Sequence, residues 1–272
     1  EGAVQGAADL GGDAEGAGAA DVGDVDGLDL DARRGADQPF AGAVLRHLTL
    51  DDLGPGEGEG GGEFRLGVIP TIAPFILGHL LGCVKNQLPD LVLRVRESQT
   101  AALLQELEQG ALDAAIIALP VELGKLQAFT LYEEKLRLVA HKNDAMCKGG
   151  PVALREVDTR RMLLLEKGHC LRDHTVSACS TSQRDTESGE NSLVEASSLN
   201  TMVQLVNSGL GCALLPDMAI KAGLLNNTEV QIVGLRSPVP SRQIALVTRR
   251  SHPKLNFIDR VLCPIFKGDH AN

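Results

Sequence analysis

From Phe64 onward, short apolar runs alternate with longer amphipathic stretches. Residues 64–69 read as a strand, 72–87 as a helix, 91–97 as a strand, 101–108 as a helix and 112–119 as a wholly apolar strand. Strands alternating with helices in this way argue for a parallel sheet with helical crossovers. Two further strands, 129–134 and 135–141, lead into Asn143-Asp144 and Lys148-Gly149-Gly150-Pro151, a cluster of turn formers that marks passage into a second lobe. There the pattern repeats. It predicts a short helix near Leu154, a strand over 162–166, a helix from about His169, a polar loop over 181–191 and a strand over 192–196. A helix over 200–207, a strand over 212–215, a helix over 217–225 and a strand over 230–235 follow. A strand over 243–248 carries the chain back, and residues 255–266 are expected to pack on the first lobe as a final helix.

Residues 1–62 do not share this pattern. They hold 16 of the 30 glycines, no Ser, Lys or Ile, and 14 acidic residues against 3 Arg, a net charge of −11, whereas the rest of the chain is near neutral at +1. Such a stretch buries too little apolar surface to offset the entropy of ordering it. It is expected to be a disordered acidic tail with at most one helical turn in 44–53. Its composition resembles translated GC-rich DNA and it opens without Met, so a non-native leader is the expectation, with an acidic interaction tail as the alternative.

Aromatic residues make up 3% of the chain and Trp is absent, so the cores must be aliphatic. The longest apolar stretch, 68–84, contains Pro70, Pro74 and His79 and falls short of a membrane span. No basic-then-apolar leader is visible. Six cysteines, at 83, 147, 170, 179, 212 and 263, form no CxxC pair and no regular framework, which points to a reducing, cytoplasmic setting.

The candidate chemistry lies at Met162-Leu163-Leu164-Leu165, a buried strand that Gly168 ends just before a helical pattern begins. Cys170 therefore sits where a strand hands over to a helix. Unpaired N–H groups and the positive end of the dipole favour an anion there, and His169 and Arg172 add further positive or donor groups. The thiol is thus expected to ionise more readily than a free one. A fall in its pKa from about 8.5 to about 6 would raise the thiolate fraction at neutral pH from roughly 3% to roughly 90%. Cys179 lies nine residues on. Along one straight helix the two Cα atoms would be about 13.5 Å apart, and a disulfide needs less than about 7 Å. Joining them would require the segment to refold. The alternative, that both are ordinary small apolar residues, stays open on the residues alone.

Thr71 and Thr100 each precede a helical run and are expected to act as N-caps, contributing about 1 kcal/mol each. Both, like Cys170, lie just past the carboxyl end of a strand, where open α/β sheets bind ligands. Asp173 would oppose a thiolate unless paired with Arg172. His169, Cys170, His174 and Cys179 could be drawn as a zinc set, but they lack two close ligand pairs, and the Gly-rich segment has no Walker-type phosphate loop. No metal or cofactor is expected. Cys83, Cys212 and Cys263 lie in apolar segments and read as core, while Cys147 lies in a turn and reads as exposed.

Gly168-His169-Cys170-Leu171-Arg172-Asp173, with Cys179 beyond it, resembles the redox loop of the peroxide-sensing OxyR type of LysR-type transcription regulators. The resemblance continues through Leu66-Gly67-Val68-Ile69-Pro70-Thr71, Glu97-Ser98-Gln99-Thr100 and Ser208-Gly209-Leu210-Gly211-Cys212-Ala213-Leu214-Leu215-Pro216, and covers about residues 64–266. It implies a two-lobed α/β effector domain of the periplasmic-binding-protein type II class. Lobe I would comprise 63–136 and 248–272, and lobe II, 137–247, would carry the redox loop. Cys170 and Cys179 would be the redox-active disulfide pair, Thr71, Thr100 and His169 the peroxide-binding residues, and Gly168, Arg172 and Asp173 their support. The resemblance further implies hydrogen peroxide as signal, thiol reductants for resetting, a dimer or tetramer formed through the effector domains, and promoter DNA and RNA polymerase as partners of an intact relative. It implies a switch and not an enzyme. The helix-turn-helix of that family is not visible in residues 1–62, whose charge DNA would repel. These residues support the sensor and not the DNA reader. Two rival readings are an effector domain that senses a small metabolite between its lobes, with incidental cysteines, and a thiol peroxidase.

Overall fold

A computed structural model describes residues 62–180 and 195–263. The chain opens with β1 (Gly62–Val68), whose Phe64, Leu66 and Val68 are fully buried. α1 (Ala73–Gln87) begins with a proline in its first turn, where the missing N–H costs no hydrogen bond, and buries Leu80 and Val84. β2 (Leu91–Glu97) and α2 (Thr100–Glu108) follow, and α2 buries Leu103 and Leu107. Gly67 lets α2 approach the sheet closely: a Cβ there would lie 2.7 Å from Leu103 Cδ2. β3 (Ala114–Leu119) is apolar throughout because both its faces are covered.

β4 (Leu126–His141) is one strand of 16 residues where the sequence suggests two. A register shift between Thr130 and Tyr132 bends it. The charged step Glu133-Glu134-Lys135, which looks like a break in the sequence, is the point where the strand leaves one core for the other. α3 (Ala145–Lys148) is capped by Asp144, whose Oδ1 accepts from the Met146 N–H. Then come β5 (Leu164–Leu165), α4 (Cys170–Ser180), β6 (Glu195–Ala196) and α5 (Leu199–Asn207), the last capped by Ser198. β7 (Cys212–Pro216), α6 (Asp217–Lys221), β8 (Val230–Val233), β9 (Ser241–Arg249) and α7 (Leu255–Phe257), extended by a π-helical turn over Ile258–Leu262, complete the described chain.

The strand order is β2-β1-β3-β9-β4-β7, with β8 also on β4 and β5-β6 as a separate pair. Among the described strand pairs, β1-β2, β1-β3 and β5-β6 are parallel and the others antiparallel. The expected parallel pairing holds for β1, β2 and β3, and the sheet as a whole is mixed because the chain passes between lobes on two adjacent antiparallel strands, β4 and β9. Two apolar cores result, one around Phe64, Leu66 and Ile116 and one around Leu138, Leu165 and Leu214. Among the described strands, β9 pairs with β3 and β4.

Other differences are local. The expected strand over 162–166 shortens to β5, with Met162 forming only a bridge to Cys212. The helix over 217–225 ends at Lys221, two residues before Gly223 takes a left-handed φ of +86°. The acidic segment through Gly61, the helical turn over 44–53, the polar loop over 181–191, residues 192–194 and the end of the final helix lie outside the described residues. Among the described residues no helix is long and apolar enough to cross a membrane.

The Ser208–Pro216 motif shows how a sequence feature becomes packing. Gly209 takes φ +75° just after α5, ending the helix, and the Leu163 N–H donates to the Cys212 carbonyl. A Cβ on Gly211 would collide with the Arg161 carbonyl oxygen. Gly211→Ala is therefore expected to destabilise the protein by about 1–3 kcal/mol. Gly78→Ala, in mid-α1 with nothing within 4 Å of the added carbon, should stabilise it by about 0.5–1 kcal/mol. Urea midpoints moving in opposite directions would verify both.

Candidate functional site

Cys170 is the first residue of α4, reached through a tight turn after β5. Gly168 in that turn has φ +99°, a conformation that costs an L-residue about 1–2 kcal/mol. Any Cβ there would also run into the Gln99 side chain, which closes over the turn from the start of α2. α4 lies between the two cores: Cys170 packs against the first, while Leu171 and Cys179 belong to the second.

Behind Cys170 stands a group absent from the candidates read in the sequence. Arg242 of β9 is 2% exposed and faces Glu134 of β4, its partner in the strand register. Its Nε donates to Glu134 Oε2 at 2.8 Å, its Nη1 to Thr71 Oγ1 at 3.0 Å, and its Nη2 to the Thr71 carbonyl at 3.3 Å. Glu134 Oε1 in turn accepts from the Met218 N–H at 2.9 Å. The buried charges are thus paired and hydrogen-bonded, as buried charges must be. The sequence signal was a lone Arg leading into the apolar run Ile244–Val247, but its partner 108 residues away is visible only in the sheet.

Burial pushes the Cys170 thiol above its ordinary value of 9.0, outweighing Arg242, the Thr100 hydroxyl and the Ala118 N–H, which all favour the thiolate; Asp173 adds to the upward push. The expected depressed pKa is corrected, because removal from water outweighs the favourable partners. The expected helpers also behave differently. His169 is buried, and burial lowers its pKa below 6.5 despite Glu166 and Glu97, so it is neutral at pH 7. Arg172 turns away to the Leu165 carbonyl at 2.8 Å and Glu195 Oε1 at 2.7 Å, anchoring the start of α4 to β5 and β6. Asp173 is exposed.

Thr71 and Thr100 are buried, but neither acts as a helix cap. The N-cap positions are Ile72 and Gln99, and Thr100 lies inside the first turn of α2. Thr71 Oγ1 accepts from Arg242. Thr100 Oγ1 faces the Cys170 thiol and favours its ionised form, yet has no hydrogen bond of ordinary geometry. His174, one helical turn beyond Cys170, is similar: neither ring nitrogen has a well-formed hydrogen bond although both are buried. Burial and Arg242 lower its pKa below 6.5, against Asp173 and the Leu119 carbonyl. Its i,i+4 spacing from Cys170 was the signal in the sequence that could have marked it.

Cys179 is buried and its thiol is pushed up by burial. It shares the uninterrupted α4 with Cys170, nine residues or about 13.5 Å of helix away. None of the six cysteines is in a disulfide. Cys212 and Cys263 are core residues, and burial raises the Cys212 thiol to about 12. Cys83 is only half-buried, 2.9 Å from His79 Nε2, and Cys147, expected exposed, is half-buried with its thiol directed at the His141 carbonyl.

Two lobes joined by paired crossing strands, with a buried polar cluster where β1, β2 and β3 end, define a type II periplasmic-binding-like effector domain. Residues 57–261 match the LysR substrate binding domain, and the chain belongs to that family. It is 40% identical over 201 residues to the HTH-type transcriptional regulator EstR of Acinetobacter baylyi, covering 74% of this chain and 65% of that protein. It is 38% identical over 188 residues to a probable hydrogen peroxide-inducible genes activator of Mycobacterium leprae, covering 69% and 59%. Among solved structures, a hydrogen-peroxide-bound cysteine-to-serine mutant of Corynebacterium glutamicum OxyR superposes with a TM-score of 0.70 at 31% identity, covering 76% of this chain and 64% of that one. The chain thus spans 65% and 59% of the length of these two relatives, less than two thirds of each.

Arg242→Met should leave Glu134 buried without its counter-charge and cost about 3–5 kcal/mol. It should also remove one influence that favours the Cys170 thiolate. The expected result is a lower urea midpoint together with slower alkylation of Cys170 by iodoacetamide at pH 8 under native conditions. An unchanged alkylation rate would show that Arg242 does not act on the thiol.

Proposed function

We propose that this chain is the sensor portion of a peroxide-responsive LysR-type regulator, in which hydrogen peroxide oxidises Cys170 and Cys179 then captures it. The observation that carries this reading is the make-up of the cluster around Cys170. A thiol faces a hydroxyl whose buried oxygen lacks a well-formed hydrogen bond, an imidazole whose buried nitrogens also lack one lies one helical turn along, and an arginine acts on both thiol and imidazole. A molecule with two oxygens, each able to donate and accept, suits such a place. The Cys170 sulfur attacks one peroxide oxygen, the O–O bond breaks, and sulfenic acid and water form. Thr71, Thr100 and His169 orient the peroxide; the Thr71 hydroxyl already accepts from Arg242 and keeps its own proton to donate. Gly168 permits the turn, Arg172 anchors it, and Asp173 stays in solvent.

The Cys179 thiol then attacks the Cys170 sulfur and displaces water, so two thiols and one peroxide give a disulfide and two waters. Because both residues lie on one helix and pack into different cores, at least two turns must unwind. The lost helix and packing make the disulfide easier to reduce by cellular thiols, and this resets the switch. Used once per signal, it is a sensor and not an enzyme. The refolded segment alters how effector domains assemble as dimer or tetramer; DNA and RNA polymerase are partners of the intact family, and direct DNA binding is not assigned to residues 62–263. Six thiols outside any disulfide suit a reducing cytoplasm.

The match to the LysR substrate binding domain supports a second reading, in which a small metabolite occupies the cleft and the cysteines are incidental. Mass spectrometry of alkylated peptides after one equivalent of peroxide separates the two. The parent should lose the Cys170 and Cys179 thiols together, Cys170→Ser should lose neither, and Cys212→Ser should behave as the parent. Amide exchange should rise along α4 on oxidation while β1 and β3 stay protected. Equal thiol loss in Cys170→Ser and the parent would overturn the assignment.

A further inference from the structure

We propose that His174 is the proton-transfer residue of the peroxide step, accepting the proton of the Cys170 thiol and returning it to the departing oxygen. This rests on the reading of Cys170 as the peroxide-reactive thiol. A buried thiol that is protonated at neutral pH needs a base, and the groups that act on it supply mainly donors: the Ala118 N–H, the Thr100 hydroxyl and the Arg242 guanidinium. His174 is four residues along the same helix, so its side chain lies on the same face as that of Cys170. The two residues share Arg242 and the end of β3, where Ala118 meets the thiol and Leu119 the imidazole. Both ring nitrogens are buried and lack a well-formed hydrogen bond, which leaves one free to accept.

The groups that face the imidazole are Arg242 from β9, Asp173 from its own helix and the Leu119 carbonyl from β3. Burial and Arg242 hold it neutral, the form that can take a proton. His169 is also neutral, but it precedes the helix and answers to Glu166 and Glu97, not to Arg242.

The step balances as follows. The thiol proton passes to His174, directly or through the bound peroxide, leaving a thiolate. The sulfur forms a bond to the nearer oxygen as the O–O bond breaks, and the farther oxygen leaves with the electron pair. That oxygen takes the proton from the imidazolium and departs as water. Sulfur is oxidised by two electrons and the peroxide is reduced by two, with no other reactant needed.

The test is the pH profile of the second-order rate of Cys170 oxidation by hydrogen peroxide, measured on the full chain for the parent and His174→Gln. The parent rate should rise through a pH below 6.5, as the imidazole loses its proton, and then stay level until the thiol itself ionises above 9.0. Glutamine keeps polar hydrogen-bonding capacity but cannot accept the proton. That variant should be slower at pH 7 by about a hundredfold, lack the plateau and approach the parent at high pH. A His174→Gln protein with the parent's plateau and a rate within about twofold of it overturns the assignment. Should the variant fail to fold, a parent profile without a plateau between 6.5 and 9.0 overturns it equally. No oxidation of Cys170 in the parent defeats the peroxide reading and this proposal together, whereas an unaltered profile in a reactive protein defeats only the role of His174.

Discussion

The buried ion pair between Arg242 and Glu134 is the constraint around which the rest of the structure is arranged. It lies where β4 and β9 run side by side, the two strands on which the chain passes from one core to the other. Removing both charges from water costs several kcal/mol each, so the pair persists only because every strong donor and acceptor finds a partner. Those partners are Thr71 after β1 and the Met218 N–H at the start of α6. The pair therefore ties the segment after β1 to the start of α6, and its arginine acts on both Cys170 and His174.

Placing α4 between the two cores follows from that joint. The helix offers Cys170 to one core and Leu171 and Cys179 to the other. In the reduced protein, burial keeps both thiols protonated and the intact helix holds them apart, so neither is a ready target for ordinary thiol exchange. On the proposed reading, reactivity is then reserved for an oxidant small enough to reach the unsatisfied polar atoms beside Cys170. The covalent product is incompatible with the helix that produced it, and that incompatibility turns a chemical event into a change of shape. Gly168 and Arg172 serve the resting state: one permits the turn into α4, and the other fastens the helix start to β5 and β6.

Much of this was readable along the chain because it depends on near neighbours. Period-two and period-3.6 patterns located β1, α1, β2, α2, β3 and α5 closely, since each buries one face or both against a core. Gly168, Cys170 and the start of α4 were legible because a glycine break between an apolar run and a helical pattern is a local signal. The glycines at 67 and 211 could be quoted as parts of motifs, but the close approaches that require them, to Leu103 and to the Arg161 carbonyl, are not local.

The sequence by itself determined the alternating elements, the family and the position of the reactive cysteine at a strand-to-helix junction. Only the tertiary structure decided the charge state of that cysteine and the residues that govern it. Helix ends and neighbouring charges can be counted along a sequence, and counting them predicts an acidic thiol. Desolvation cannot be counted that way, because it depends on what the rest of the fold places over the sulfur. Arg242, Thr100 and the end of β3 come from segments scattered between residues 100 and 242, and their meeting at Cys170 is a property of strand register and packing. For the same reason His169 and Arg172, adjacent in sequence, exert little of the influence that adjacency suggests, while an arginine 72 positions away exerts more.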